Sequence, residues 1–320
     1  MKFSAEIIAE ELSIFDSRFK EYTKSNAPLL DRIMKYVVKT KGKQLRPMLV
    51  ILCSKLSGTV NESTYRAASL VELLHTATLV HDDVVDESLE RRGVFSVYAL
   101  WKTKVSVLVG DYLLAKGLLL SLDNHDYQVL QILSKAVREM SEGELLQIEK
   151  SRTLNLDEEI YFKIIRFKTA SLIAAACSAG AYSGSQDPEL TEKLRVFGEY
   201  VGMAFQIKDD LFDYSSEDIG KPTGNDIKEK KLTLPLIFTI NNATPELRKK
   251  LIYNIKNNNG DPKKIRWIID EVEKSGGIAY AQEKMITFQQ QALEILQDFQ
   301  TSPIREKLEE LVNFTTERKK

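Results

Sequence analysis

Two short segments repeat one pattern of carboxylates. The first, His81-Asp82-Asp83-Val84-Val85-Asp86-Glu87-Ser88-Leu89-Glu90-Arg91-Arg92-Gly93, sets five acids within nine residues and two arginines directly after them. The second, Ile207-Lys208-Asp209-Asp210-Leu211-Phe212-Asp213-Tyr214-Ser215, repeats the D-D-x-x-D spacing far downstream. On a helix, residues four apart are neighbours on one face, so Asp82 stands over Asp86 and Asp209 over Asp213. Asp83 and Asp210 lie about 100° round the helix from them. Ionised carboxylates one turn apart repel, more strongly in partly dry surroundings, unless a cation offsets them. Magnesium suits such a set: it prefers oxygen ligands, keeps several waters, and takes one or two carboxylates together with substrate phosphates. One such motif alone is most simply a solvated helix face. Two copies at one spacing, each ending a long apolar helical pattern, favour paired metal and diphosphate sites.

Basic residues stand beside both clusters. In Lys41-Gly42-Lys43-Gln44-Leu45-Arg46-Pro47, Lys43 and Arg46 fall three apart where a helix begins, and helix N-termini and forked guanidinium groups both favour phosphate oxygens. Arg91 and Arg92 follow the first acidic motif, Lys168-Thr169 lies in an otherwise apolar helix, and Lys221 and Lys231 follow the second motif. Any one of these alone reads as a surface charge; together they suit one diphosphate bridged by metal and another held directly by cations. His75 lies two helical turns before Asp82 and, taken alone, reads as a core or hydrogen-bonding residue. The chain has 3 histidines, His75, His81 and His125. That is too few for the histidine-rich centre of the metal-dependent phosphohydrolases that carry a His-Asp pair. No serine, cysteine or histidine is displayed as a nucleophile.

The elements that must position these groups are helical. Apolar periodicity near 3.6 runs almost from end to end, and strand-like alternation is nearly absent. The pattern predicts helices near 4–24, 28–40, 45–57, 62–87, 96–121, 125–151, 157–183, 187–215, 233–242, 245–257, 262–274, 277–299 and 303–316. Asp187-Pro188, Thr244-Pro245, Asp261-Pro262 and Ser302-Pro303 each put a capping side chain before a proline suited to the first helical position. No linker divides the chain, so residues 1–320 are read as one all-α domain. The widest break, Ser215 to Lys231, is a charged, glycine-containing loop directly after the second motif. Lys plus Arg is 45 against 46 acids, a net charge of −1, which excludes the basic excess of a nucleic-acid binder. Cys53 and Cys177 lie in apolar helical runs and predict free thiols. The acidic, amphipathic N-terminus is unlike a signal peptide, and the longest apolar run, SLIAAACSAGAYSG, falls short of a membrane span, so the reading is a cytoplasmic protein.

The ordered motifs GKQLRP, LLHTATLVHDDVVDESLERRG, VGDYLLAKG, FKTA, FQIKDDLFD and GKPTGND-x4-KLTLP resemble the trans-isoprenyl diphosphate synthases, the polyprenyl synthetase family, over nearly the whole chain. The resemblance implies a single large helical bundle of the isoprenoid synthase type around a central cavity, a homodimer, and two or three Mg²⁺ ions per site. It implies that Asp82, Asp83, Asp86, Asp209, Asp210 and Asp213 bind Mg²⁺ and the allylic diphosphate, with Arg91, Lys168 and Lys231 on that diphosphate and Lys221 as a further substrate-binding residue. Lys43, Arg46, His75 and Arg92 are implied to hold isopentenyl diphosphate, and Thr169 and Gln206 to face the developing allylic cation. Where many members read D-L-x-E-G-K, this chain has Asp226-Ile227-Lys228-Glu229-Lys230-Lys231, which leaves the choice between Lys230 and Lys231 open.

Product length is expected to be gauged along the helix before Asp82, through Thr78, Ala77, Leu74 and Val71. One turn rises about 5.4 Å, close to an extended isoprene unit. Short-chain members carry aromatic residues four and five before the first aspartate. Thr78 and Ala77 are small here, which predicts a medium-to-long product of six to eight units, with Leu118 and Leu119 lower in the tunnel. Small residues that simply allow close helix packing are the competing reading. A geranylgeranyl-length product, a terpene cyclase and a non-catalytic partner subunit also compete. A cyclase would carry a different second motif and no need of GKQLRP, and a partner subunit would tend to lose the acidic motifs.

Overall fold

A computed structural model of the chain describes residues 6–40, 42, 44–154, 157–214 and 224–318. After a 3-10 turn at Glu6–Ile8 come α1 (Ala9–Tyr22), α2 (Pro28–Lys39), α3 (Leu45–Ser57) and α4 (Glu62–Val85). A two-residue hairpin, β1 (Glu90–Arg91) and β2 (Val94–Phe95), leads to α5 (Val97–Asp123), α6 (Tyr127–Thr153), α7 (Glu158–Ile165), α8 (Ser171–Ser185) and α9 (Pro188–Phe212). Then follow α10 (Asn225–Lys228), α11 (Leu234–Asn242), α12 (Pro245–Asn257), α13 (Pro262–Lys274), α14 (Gly277–Gln297) and α15 (Pro303–Glu317).

The four Ser/Thr/Asp-Pro starts act as the sequence predicts. Asp187 accepts the N–H groups of Glu189 and Leu190, Thr244 that of Leu247, Asp261 that of Lys263, and Ser302 that of Arg305. Each cap satisfies donors that the first helical turn cannot pair internally. Cys53 and Cys177 are free and buried, as expected.

Two apolar cores hold the helices together. One gathers α3, α4, α8 and parts of α1, α2, α5, α6 and α15, and the other gathers α7, α11, α13 and the later part of α9. Helix α9 belongs to both, with Leu194, Phe197 and Val201 in the first and Met203, Ile207 and Leu211 in the second. The two acidic motifs therefore end two long helices anchored in the core, α4 and α9. That is a rigid mounting for charged groups, because close-packed interiors resist displacement.

Four features depart from the periodicity. Residues 157–183 are continuously helical as expected, but a π turn at Arg166–Ala170 interrupts the α-helical hydrogen bonding between α7 and α8. Lys102, with φ 67 and ψ 173, kinks α5. The β1–β2 hairpin interrupts the otherwise helical plan. Finally, Val97–Asp123 and Glu158–Ser185 are each long and apolar enough to cross a membrane by length and composition. The second is 78% buried inside the bundle and α5 packs along α4, so both serve as bundle helices.

Candidate active site

The first acidic motif closes α4. Asp83 is 2% exposed, and its Oδ1 accepts a 2.7 Å bond from Arg91 Nε. Burial raises the Asp83 carboxyl and the Arg91 charge opposes that rise. The hairpin sets this contact: Arg91 pairs with Val94 across a turn whose Arg92 and Gly93 both have positive φ, 57 and 74. Asp82 and Asp86 accept no side-chain hydrogen bond among the described residues. Burial, then the nearby Glu144 carboxylate, pushes Asp82 up to about 6, against the pull of Lys168. His81 lies against α5, its Nε2 3.3 Å from Val107 O and 3.5 Å from Asp111 Oδ1. A Cβ at Gly110 would come 2.1 Å from that ring nitrogen, which explains the glycine of VGDY.

The second motif closes α9 and is more fully engaged. Asp210 has no exposure. Its Oδ1 accepts Gln206 Nε2 at 2.9 Å and Lys231 Nζ at 3.0 Å, and its Oδ2 accepts the Tyr161 hydroxyl at 2.8 Å. Thr169 donates in turn to Gln206 Oε1 at 2.6 Å. Lys231 also lies 3.4 Å from both Asp226 oxygens. Burial alone would lower its ammonium, but Asp210 and Asp226 hold it charged. Asp226 is itself pushed up to about 7, by burial and by Asp210 and Asp213. Asp213 accepts the backbone N–H groups of Asn225 at 2.9 Å and Asp226 at 3.1 Å, so it pins α10. Asp209 is ion-paired with Arg318, whose guanidinium sits 4.0 Å from the Phe205 ring centroid and 5.3 Å from that of Phe212.

The backbone sends Lys230 and Lys231 in different directions. Lys230 is half-buried with φ 57, the left-handed conformation that favours glycine. This is the position where many relatives place that glycine, and the turn it makes sends Lys231 inward.

The π turn carries Lys168 and Thr169. π turns insert an extra residue into a helix and are frequent at functional sites. Lys168 Nζ meets Glu144 Oε2 of α6 at 2.5 Å and lies 3.5 Å from Gln147 Oε1. A Cβ at Gly143 would fall 2.8 Å from both the Lys168 N and the Phe167 Cβ. Glycine there lets α6 lie directly against the turn.

A second cationic cluster gathers round His75 of α4, two turns before Asp82. Arg46 Nη1 is 3.0 Å from His75 Nε2, so the ring nitrogen accepts and the proton resides on Nδ1. Burial, then Arg46, Arg92 and Arg91, hold His75 well below the ordinary imidazole range and keep it neutral. Arg46 Nε is buried without a hydrogen-bond partner among the described residues. Arg92 donates to Thr40 O at 3.3 Å and borders Gly42. A cavity of about 60 Å³ opens beside Tyr36, Thr40, Glu72, Asp83, Arg91 and Arg92. Such a cluster suits an anion.

The predicted residues thus fall into two groups, with Lys43 and Lys221 outside the described residues. The six aspartates are not equivalent. Asp82 and Asp86 are free, Asp83 and Asp210 are buried anchors, Asp213 caps a helix and Asp209 faces Arg318. Among the described residues no three Asp, Glu, His or Cys side chains converge as a closed cage. The donor set still fits magnesium, which binds through one or two carboxylates, waters and substrate phosphates. Leu74 and Ala77 are buried on α4, 4% and 0% exposed, and Thr78 donates to His75 O. Leu118 and Leu119 stand apart from Leu74 and Ala77. Gly110, Leu113 and Gly117 are the buried face of α5, Gly110 and Gly117 against α4, whereas Leu118 and Leu119 are 40% and 53% exposed on its outer side. One residue is 100° of helix. Sequence reasoning missed Glu144, Gln147, Tyr161, Asp226 and Arg318. Glu144 and Gln147 share one helix face three apart, the only local signal among them.

Residues 27–272 match the family model described as polyprenyl synthetase. The octaprenyl diphosphate synthase of Escherichia coli (strain K12) is 32% identical over 315 residues, 98% of this chain and 97% of that one. A solved decaprenyl diphosphate synthase from Rhodobacter capsulatus superposes with TM-score 0.93 at 36% identity, covering 98% of each chain. The Caulobacter crescentus polyprenyl synthase, solved with calcium and isoprenyl diphosphate, superposes with TM-score 0.90 at 33% identity over 100% of both chains. With residues 27–272 matched by the family model and the helical bundle matched end to end, the chain belongs to the polyprenyl synthetase family.

Proposed function

We propose that this trans-prenyltransferase condenses isopentenyl diphosphate with an allylic diphosphate of geranyl or farnesyl type, releasing diphosphate and building an all-trans chain of six to eight isoprene units. The observation that carries the reading is the division of cations into two clusters. Lys168, Lys231 and Arg91 meet Glu144, Asp210 and Asp83, whereas Arg46 and Arg92 gather round neutral His75. Two diphosphates of different fate need two such clusters. Asp82, Asp86 and Asp209 are the carboxylates most available to hold Mg²⁺, which when bound supplies Lewis-acid stabilisation of the leaving diphosphate.

The remaining chemistry belongs to the chain. Lys168 and Lys231 neutralise charge on the departing diphosphate, and Arg46 with neutral His75 orients isopentenyl diphosphate. As the allylic C–O bond ionises, the Thr169–Gln206 pair presents oxygen dipoles towards the cation. The isopentenyl double bond attacks, and a proton passes to the released diphosphate. Apolar walls on α4 exclude water from the cation. Small Ala77 and Thr78 leave the growing chain room to extend past the first turn.

The enzyme acts as a single all-helical domain in a homodimer in the cytoplasm. Leu108, Leu119 and Leu122, 63%, 53% and 44% exposed, form an apolar face on α5 that a second copy would cover. The test incubates purified protein with radiolabelled isopentenyl diphosphate, farnesyl diphosphate and Mg²⁺, then sizes the dephosphorylated products. A ladder ending at six to eight units is expected, shortened by Ala77→Phe. A stop at four units, or an unshortened Ala77→Phe product, overturns the tunnel assignment. No elongation from any allylic primer overturns the catalytic reading.

A further inference from the structure

We infer that Glu144 is a positioning residue for the condensation: it holds the Lys168 ammonium at the first acidic motif and so sets where the allylic diphosphate is met. The inference rests on Lys168 being a diphosphate contact. Glu144 belongs to neither acidic motif and comes from a helix with no aspartate of the site.

Three observations carry it. The Glu144–Lys168 contact, 2.5 Å, joins side chains that are only 30% and 36% exposed, so the pair is partly shielded from solvent. Gln147, one turn further along α6, offers its Oε1 to the same ammonium at 3.5 Å. Gly143 brings the backbone of α6 against the π turn itself, so the glutamate reaches Lys168 from a fixed base. A lysine side chain has four carbons and many rotamers, and it adopts one position only when something holds it. Glu144 and Gln147 supply that hold, and the π turn supplies the direction.

Glu144 also faces Asp82 and repels its charge. The two effects on the site are opposite, which makes them separable. If Glu144 acted only as a negative charge at the site, its removal would strengthen binding of the diphosphate anion. If it positions Lys168, removal weakens diphosphate binding, and only while Lys168 is present.

The test is a double-mutant cycle with Glu144→Gln and Lys168→Met, read by steady-state kinetics and by calorimetric binding of inorganic diphosphate with Mg²⁺. Glu144→Gln is expected to raise KM for the allylic diphosphate about tenfold, the lower end of the range for loss of a supporting contact. KM for isopentenyl diphosphate should stay within about twofold, and diphosphate affinity should fall in parallel. In the Lys168→Met background the same substitution should change neither quantity. Tighter binding in Glu144→Gln, or a loss that adds to that of Lys168→Met, overturns the inference. An equal rise in both KM values, or a lowered melting temperature in Glu144→Gln, points to a structural role and also overturns it. If Lys168→Met itself binds the allylic substrate like wild type, the diphosphate assignment of Lys168 fails instead.

Discussion

The ends of α4 and α9 carry the same D-D-x-x-D spacing in different company. At α4, only Asp83 has a side-chain partner, Arg91, while Asp82 and Asp86 stand free among the described residues. At α9, every carboxylate is engaged: Asp209 by Arg318, Asp210 by Gln206, Lys231 and Tyr161, and Asp213 by two backbone N–H groups. One motif is an open pair of oxygen ligands. The other is a charge network already balanced by the chain's own cations. Identical spacing thus creates an anionic face in both places, but the partners decide which oxygens can take a metal. Buried carboxylates must be paired or hydrogen-bonded to be tolerated, so Asp210, with no exposure, has the most donors.

That comparison can be broken by substitution. Asp82→Asn should lower kcat/KM on the order of 10³-fold at saturating Mg²⁺, as loss of a direct charge-stabilising group does. Asp213→Asn should cost only about 10- to 100-fold, as for a supporting contact. Equal losses in steady-state assays would erase the distinction between the motifs. Lys231→Met should cost about 100-fold in the same assay, and Lys230→Met less than about twofold, as for a side chain that does not meet the buried carboxylates. A reversed ranking would mean that the left-handed turn at Lys230 does not set which lysine faces inward.

Smaller effects sharpen the picture. Arg318→Gln frees Asp209, so the half-saturating Mg²⁺ concentration should fall about threefold, the scale of a partly exposed ion pair. A magnesium titration that needs more metal instead would make Arg318 a substrate contact rather than a competitor. The smallest effect is thermal. The Asp82 carboxyl is raised in the folded chain to about 6, above its ordinary value near 3.9. The folded state therefore holds this proton more tightly, and stability falls as pH rises between about 4 and about 6. Metal-free Asp82→Asn, which cannot ionise, should melt about 2 °C above wild type at pH 7.5. The gap should narrow by pH 5. A gap that is constant with pH would exclude ionisation of Asp82 as its source.

Much of this was legible residue by residue. The helix starts at Asp187, Thr244, Asp261 and Ser302 were readable because a cap and its proline act within one turn. The aspartates were readable because helical spacing is local geometry. The π turn was not: Phe167 and Ala170 continue the apolar pattern of α7 into α8, and one inserted residue leaves no mark in composition. The exposure of Leu118 was not legible for a related reason, since periodicity reports that α5 is largely apolar but not which side meets α4. Tyr161, Glu144 and Arg318 reach the site from 49, 62 and 109 residues away from Asp210, Asp82 and Asp209 respectively, and no local pattern ties them to it.

The order of motifs, the helical periods and the caps determined an all-α chain with two carboxylate faces and the cations to serve a diphosphate. These are short-range properties, set by neighbours within a turn or two. Only the tertiary structure decided which aspartates are free and which are anchors, that Lys231 rather than Lys230 turns inward, and that Glu144 and Arg318 belong to the site. Those outcomes depend on which helix faces meet and on the burial that follows. An ion pair forms between groups that packing brings within a few ångströms, and the residues that pack together here are distant along the chain.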